Sequence, residues 1–321
     1  MKIYFKDKLN LKEKKEVINL IKFSFKIPKI DTYKFEKKFN NLPHKVFFIA
    51  KNKDNKIIGL IVLIKREMNY CGNVLQVLGM SFMAIEKKYQ LKGLSNEFRK
   101  KIFLYSKKFD LILGFARKKM DGYWSRFGFL GFTNFGEINI ELKDIKSENK
   151  YKFSISKINK DDIKKINNLS LIDNEKIAGN IIRDDKLWSF YQKNGRRDLN
   201  LYKITKNNKI FSYFFCKDNK IFEIFSNKKN NHITILALKK FFKKRKFKEI
   251  IFQTSFNNTF IQYLMNYQYT IYERFAWNGG HIVKIVSIIE FLNKNKNIFE
   301  KRLKDNHTND FIAQYRGISI I

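Results

Sequence analysis

The stretch EKKYQLKGLS, Glu86 to Ser95, decides how this chain is read. It lies between an apolar run ending at Ile85 and an amphipathic run in which Leu94, Phe98, Ile102 and Tyr105 recur at helical spacing. The order is therefore strand, glycine loop, helix N-terminus. The first N–H groups of a helix have no internal partner, and the helix dipole leaves partial positive charge there. Glycine lets the main chain approach a phosphate closely, in dihedrals that a Cβ would forbid. Lys92 adds a full charge beside it. In a chain with only 14 glycines, Gly93 at this point predicts recognition of a phosphate or pyrophosphate, mostly by main chain. Neither G-x-x-x-x-G-K-[ST] nor G-x-G-x-x-G occurs, so a P-loop and a dinucleotide-binding fold are excluded.

Upstream of the loop, Val17, Leu20 and Ile21 predict a helix over 11–25, and a short second helix follows Asp31. HKVFFIAKNKDNKIIGLIVLIKRE reads as two strands joined at Asp54-Asn55, and a third strand runs from about Val74 to Glu86. Downstream come the buried strand DLILGFA, the segment YWSRFGF and a strand pair through GEINIEL. The polar stretch 143–152 reads as a linker. The order of elements then repeats: KDNKIIGLIVL pairs with KNNKIFSYFF (turn at Asn207-Asn208), and DLILGFA with EIIFQTS, which favours a duplication.

The loop resembles the acyl-CoA signature [Q/R]-x-x-G-x-[G/A] of the GCN5-related N-acetyltransferase (GNAT) family. Gln90 and Gly93 match it; Ser95 stands where the family has Gly or Ala, and Lys87 where it often has proline. A second landmark, an aromatic pair followed by x-x-x-G-F, is matched by Tyr123, Trp124, Gly128 and Phe129. The resemblance implies an α/β fold of two GNAT-like domains, each a mixed, mostly antiparallel sheet flanked by helices. Residues 1–142 would be the acyl-CoA-binding catalytic domain, 151–285 a degenerate second copy, and 286–321 a C-terminal helix and tail. GGHIVKIVSIIEFL resembles the connection into the further domain of Eis-type proteins, expected here to be absent or vestigial.

The activity implied is transfer of an acyl group, acetyl foremost, from acetyl-CoA or another acyl-CoA to a primary amine of a small molecule or amino sugar, with no metal. Met83, Ala84 and Ile85 would pair with the pantetheine arm, and Gln90, Leu91, Lys92, Gly93, Leu94 and Ser95 would cradle the pyrophosphate. The family often places its general acid, a tyrosine, second in the aromatic pair, where this sequence has Trp124. An indole does not donate a proton to a thiolate at neutral pH, so Tyr123 is the candidate. A shift of one helical residue turns a side chain by about 100°. A thiol with a reference pKa near ~8.5 leaves fairly well without an acid. For the base, Glu67, Glu86 and Asp121 are the carboxylates in view, none singled out.

Bulk composition bounds the remaining readings. The net charge of +36 raises a competing reading, a non-enzymatic nucleic-acid-binding protein, for which binding would fall steeply with salt. The excess is mostly lysine, spread along the chain with abundant Asn, Ile and Phe, which is the composition of an AT-rich genome. In LKKFFKKRKFKE, Leu238, Phe241 and Phe242 form a buried stripe that leaves the lysines to solvent. Cys71, Cys216 and the four histidines form neither a disulfide framework nor a metal-ligand pattern. With no apolar signal segment and no apolar run long enough for a bilayer, the expectation is a cytoplasmic protein.

Overall fold

The computed structural model describes residues 2–28, 31–116, 121–132, 135–146, 151–172, 178–194, 199–255, 259–264, 267, 270–272 and 280–304. In chain order the first half holds β1 (Lys2–Lys6), α1 (Leu11–Ser24), α2 (Thr32–Asn41), β2 (Lys45–Lys51), β3 (Ile57–Tyr70) and β4 (Asn73–Ile85). After the loop come α3 (Leu94–Ser106), β5 (Leu111–Ala116), α4 (Asp121–Ser125), β6 (Leu130–Phe132) and β7 (Phe135–Glu141). The second half holds β8 (Ser154–Lys157), α5 (Ile163–Ile172), β9 (Ala178–Ile182), α6 (Asp185–Asn194), β10 (Asn200–Lys206), β11 (Lys209–Lys217) and β12 (Lys220–Ser226). It ends with α7 (Asn231–Lys244), β13 (Glu249–Ser255), α8 (Thr259–Leu264), β14 (Thr270–Tyr272), β15 (Gly280–Ile285), α9 (Ile288–Lys294) and α10 (Lys296–Lys304).

The chain divides into two compact units. The first comprises residues 1–68, 74–131 and 278–296, and the second comprises 69–73, 132–277 and 297–321. This is a mixed α/β fold in which each sheet is flanked by helices, as the sequence predicts. The first sheet follows the order β1-β2-β3-β4-β5-β15-β6, and the second β14-β7-β13-β12-β11-β10-β8. The pairs β1–β2, β2–β3, β5–β15, β8–β10, β10–β11, β11–β12, β7–β13 and β7–β14 are antiparallel, and β4–β5 and β12–β13 are parallel.

The strand order differs from the sequence reading in where β7 and β15 pair. β7, the GEINIEL segment assigned to a first domain ending at 142, pairs along its whole length with β13 in the second sheet. In return, β15 pairs along its whole length with β5 in the first sheet, from Gly280↔Ala116 to Ile285↔Leu111. GHIVKI is thus an internal strand of the first unit, with Val283 buried, where a connection to a further domain was expected. Part of the expected linker also packs, since Ile145 is buried in the second unit's core.

Each unit has its own core. In the first, the α1 stripe Val17, Ile18 and Ile21 packs with Phe39, Phe47 and Ile49 on one face, and α3 covers the other with Leu94, Phe98 and Ile102. A capping box starts α1: Glu13 N–H donates to Asn10 Oδ1 at 2.8 Å, and Asn10 N–H to Glu13 Oε2 at 3.2 Å. In the second unit, Arg183 holds Glu223 through both terminal nitrogens at 2.6 Å, among Trp188, Tyr191 and Phe215. The hairpin β10–β11 turns through Asn207 and Asn208, both at positive φ, as the sequence predicts. On α7, Leu238 and Phe242 are buried and Lys243 and Lys244 exposed, so those lysines form a solvent face. Burial pushes the Cys216 thiol up to about 12, which removes it as a nucleophile at neutral pH. Residues beyond 304, His307 among them, lie outside the described residues.

Candidate functional site

Five consecutive features build the site in the first unit. First, the parallel strands β4 and β5 pair only from Val77↔Leu111 to Gly79↔Leu113. β5 bonds β15 along its other edge, and among the described residues Met80 to Ile85 of β4 have no strand partner on the β5 side. A strand edge with free N–H and C=O groups is a template for an extended, amide-bearing ligand. Met83, Ala84 and Ile85 are its last residues.

Second, the chain leaves β4 by a fixed path. Glu86 N–H donates to Ile58 O at 2.8 Å, and a 3-10 turn follows over Lys87–Tyr89. The Gln90 side chain turns back, its Nε2 donating to Ile85 O at 2.9 Å. Gln90 therefore closes the loop onto the strand end. Tyr89 anchors the turn against the core, with the Lys92 ammonium 5.8 Å above its ring.

Third, Leu91 and Gly93 both take left-handed dihedrals, at φ 60° and 80°. Leu91 is fully exposed, and a Cβ built on Gly93 would meet nothing within 4 Å. Open space around a left-handed glycine at a helix start is what close approach of a ligand requires. Fourth, no side chain caps α3. Gly93 O accepts from Asn96 and Glu97, but the N–H groups from Leu91 to Ser95 donate to no acceptor among the described residues. Those groups form an open row of donors of the kind an anion can accept from.

Fifth, α3 is held close to the sheet by a residue the sequence reading passed over. A Cβ on Gly59 of β3 would stand 2.9 Å from Leu94 and 3.0 Å from Phe98, so only glycine lets the helix start sit at this height. The signal was present as the one glycine inside the apolar run IIGLIVLI.

The aromatic pair lies on α4. Trp124 packs edge-on against Phe129 at 5.2 Å and belongs to the core, so its indole is structural. Tyr123 is half-buried, edge-on to Trp124 at 5.3 Å and to Phe127 at 5.1 Å. The segment is held from two sides: Lys284 of β15 donates to Phe127 O at 2.9 Å, and the Arg99 guanidinium lies 3.5 Å from the Phe127 ring. Of the carboxylates considered as base, Glu67 accepts from Gln76 at 3.0 Å. It lies nine residues along β3 from Ile58, about 30 Å of strand, which places it far from the β4 end. Glu86 pairs with Lys88 at 3.6 Å, and the side chain of Asp121 lies outside the described residues.

A cavity of about 810 Å³ opens beside the β4 end, lined by Lys22–Lys26, Met83–Ile85, Lys87 and Gln90. Its α1 side was not foreseen. The sequence hint was Phe23, which falls off the Val17/Leu20/Ile21 stripe and is correspondingly exposed.

The equivalent place in the second unit is built differently. Between β12 and α7 the chain runs only from Asn227 to Asn230, with no residue at positive φ, and Asn227 caps the turn by accepting from Lys229 N–H. Among the described residues no helix is long and apolar enough to cross a membrane, and no group of three or more His, Cys, Asp or Glu side chains could hold a metal.

No protein-family model matches the chain, and no curated protein matches it in sequence. Solved structures do. A conserved Enterococcus faecalis protein of unknown function, given as a probable N-acyltransferase, superposes with a TM-score of 0.72 at 16% identity, over 92% of this chain and 75% of its own. A GCN5-related N-acetyltransferase from Anabaena variabilis gives 0.69 at 11% identity, over 89% and 74%. Eis1 from Mycobacterium abscessus gives 0.63 at 9% identity, over 92% and 76%. At such identities the likeness speaks for architecture alone. With the parted β4–β5 pair and the uncapped glycine start of α3, it shows that this chain has the fold of the GCN5-related N-acetyltransferases.

Proposed function

We propose that the first unit is an acyl-CoA-dependent N-acyltransferase, passing an acetyl group to a primary amine of a small molecule or amino sugar. One observation carries the reading: the free β4 edge at Met80–Ile85 runs directly into the cradle of unpartnered N–H groups at Leu91–Ser95. An extended amide-bearing arm ending in a pyrophosphate fits that sequence of groups. The acyl-CoA would supply an activated thioester. Met83, Ala84 and Ile85 hold its arm by main chain, and Lys92, Gly93, Leu94 and Ser95 hold its phosphates. Positioning both reactants in one cleft supplies much of the acceleration. Tyr123 is the donor of the proton that the departing thiolate needs.

The second unit is read as a degenerate copy of the first. Its loop at Asn227–Asn230 lacks the left-handed residues and the glycine that make the first cradle. Both cysteines are free thiols, which suits a reducing compartment such as the cytoplasm.

Calorimetric titration with acetyl-CoA is the test, with one molecule bound per chain expected. No heat at millimolar cofactor would end the transferase reading, and two molecules per chain would revive the second unit. For the acid, Tyr123→Phe is expected to lower kcat about ten- to a hundredfold, with the KM for acetyl-CoA unchanged. An unchanged kcat would leave Tyr123 as packing only.

A further inference from the structure

We propose that the cavity beside the β4 end is the acceptor subsite, and that it selects amines carrying a negatively charged group. The proposal rests on the transferase reading above. The cavity shares Met83, Ala84 and Ile85 with the segment assigned to the cofactor arm, so a ligand there lies against that arm. Its charged lining is Lys22, Lys26 and Lys87, with no carboxylate. Lys22 Nζ donates to Glu36 of α2 at 3.1 Å and is partly offset. Lys26 and Lys87 have no acidic partner among the described residues, so the wall is net positive. Phe23 and Phe25, 71% and 37% exposed, add an apolar face on the same side. A polycationic acceptor would be repelled by such a site, and one with a phosphate or carboxylate beside its amine would be drawn in. The same positive wall favours the neutral form of a bound amine, the form that attacks. That effect matters where Glu67 lies far along the strand and Glu86 is paired with Lys88.

Lys26 also offers a clean variant. It ends α1 in a Schellman motif, with Ile27 N–H donating to Lys22 O at 3.0 Å and Lys26 N–H to Phe23 O at 3.4 Å. At φ 51° this is a position that favours glycine. Lys26→Gly therefore removes the charge while relieving the backbone.

The experiment is calorimetric binding to the full chain saturated with CoA, which fills the phosphate cradle. The probes are three matched pairs: glucosamine and its 6-phosphate, ethanolamine and phosphoethanolamine, β-alanine amide and β-alanine. The anionic member is expected to bind at least about tenfold tighter in two or more pairs. In Lys26→Gly that advantage is expected to fall below about threefold, with the melting temperature at or above that of the parent. A preference in one pair or none, absence of binding included, would overturn the proposal. So would an equal loss of CoA affinity in Lys26→Gly, which would assign the lysines to the cofactor. Failure to bind acetyl-CoA at all would instead strike the transferase reading, and the matched pairs, read without chemistry, would still report on the cavity.

Discussion

Replacing Gly93 with valine is expected to weaken acetyl-CoA binding about a hundredfold or more, while the melting temperature falls by only about 2–8 °C. The two numbers separate because the structure separates their causes. A Cβ at residue 93 meets no protein atom within 4 Å, so nothing in the fold must move to admit it. The cost to the fold is the left-handed φ of 80°, about 1–2 kcal/mol for a residue with a Cβ. The cost to binding is larger, because the valine methyl groups would occupy the space from which a pyrophosphate reaches the N–H groups of Leu91–Ser95. Gly93→Ala should fall between, sharing the dihedral penalty but with less bulk. Calorimetry and a thermal melt on the same sample check both halves. A variant that still binds within about threefold of the parent would show that the cradle is not the phosphate site.

The second large effect concerns fragments. Residues 1–142, the first domain as the sequence is read, should not fold cooperatively. That fragment lacks β15, which bonds β5 from Leu111 to Ala116 and covers it with the buried Val283. It also carries β7 without its partner β13, leaving Ile138 and Ile140 exposed when each is buried in the intact chain. Each such side chain returned to water costs about 1.5–3 kcal/mol, and each lost backbone bond about 0.5–1.5 kcal/mol. Summed, the deficit is about the size of a domain's whole stability of about 5–15 kcal/mol. Joining 1–131 to 280–296 through a flexible linker restores β15 and removes β7, and is expected to give a single sharp melt. Circular dichroism on the two fragments decides it: a cooperative transition in 1–142 would refute the exchange.

How much of this was legible in the sequence depends on what each residue had to encode. The loop was legible because Gln90, Gly93 and the stripe Leu94, Phe98, Ile102 each carry a local signal, a turn or a period, that needs no knowledge of partners. The hairpin at Asn207-Asn208 was legible for the same reason. The strand exchange was not, because alternation in GEINIEL or HIVKI states that a strand is buried on a face and says nothing of which sheet supplies the neighbour. β1 went unread since KIYFK at the chain start is short and half-exposed. Gly59 was visible as a glycine but its reason is two side chains distant in sequence. The lysines of the cavity were hidden among the 66 basic residues of the chain, and only their placement against Met83 and Ile85 distinguishes Lys26 and Lys87 from the rest.

The same exchange of strands sets a clock on the ribosome. Roughly 160 residues separate Ala116 at the end of β5 from Gly280 at the start of β15, so at about 5–20 residues per second β5 waits about 8–30 s for its neighbour. During that interval an apolar strand, LILGFA, offers an unpaired edge, the kind of surface that chaperones shield and that nascent chains aggregate through. The first unit, translated first, therefore closes its sheet only after β7 to β14 have been made. A stop codon or frameshift between residues 96 and 280 would leave the loop Glu86–Ser95 translated in full on a sheet that cannot close.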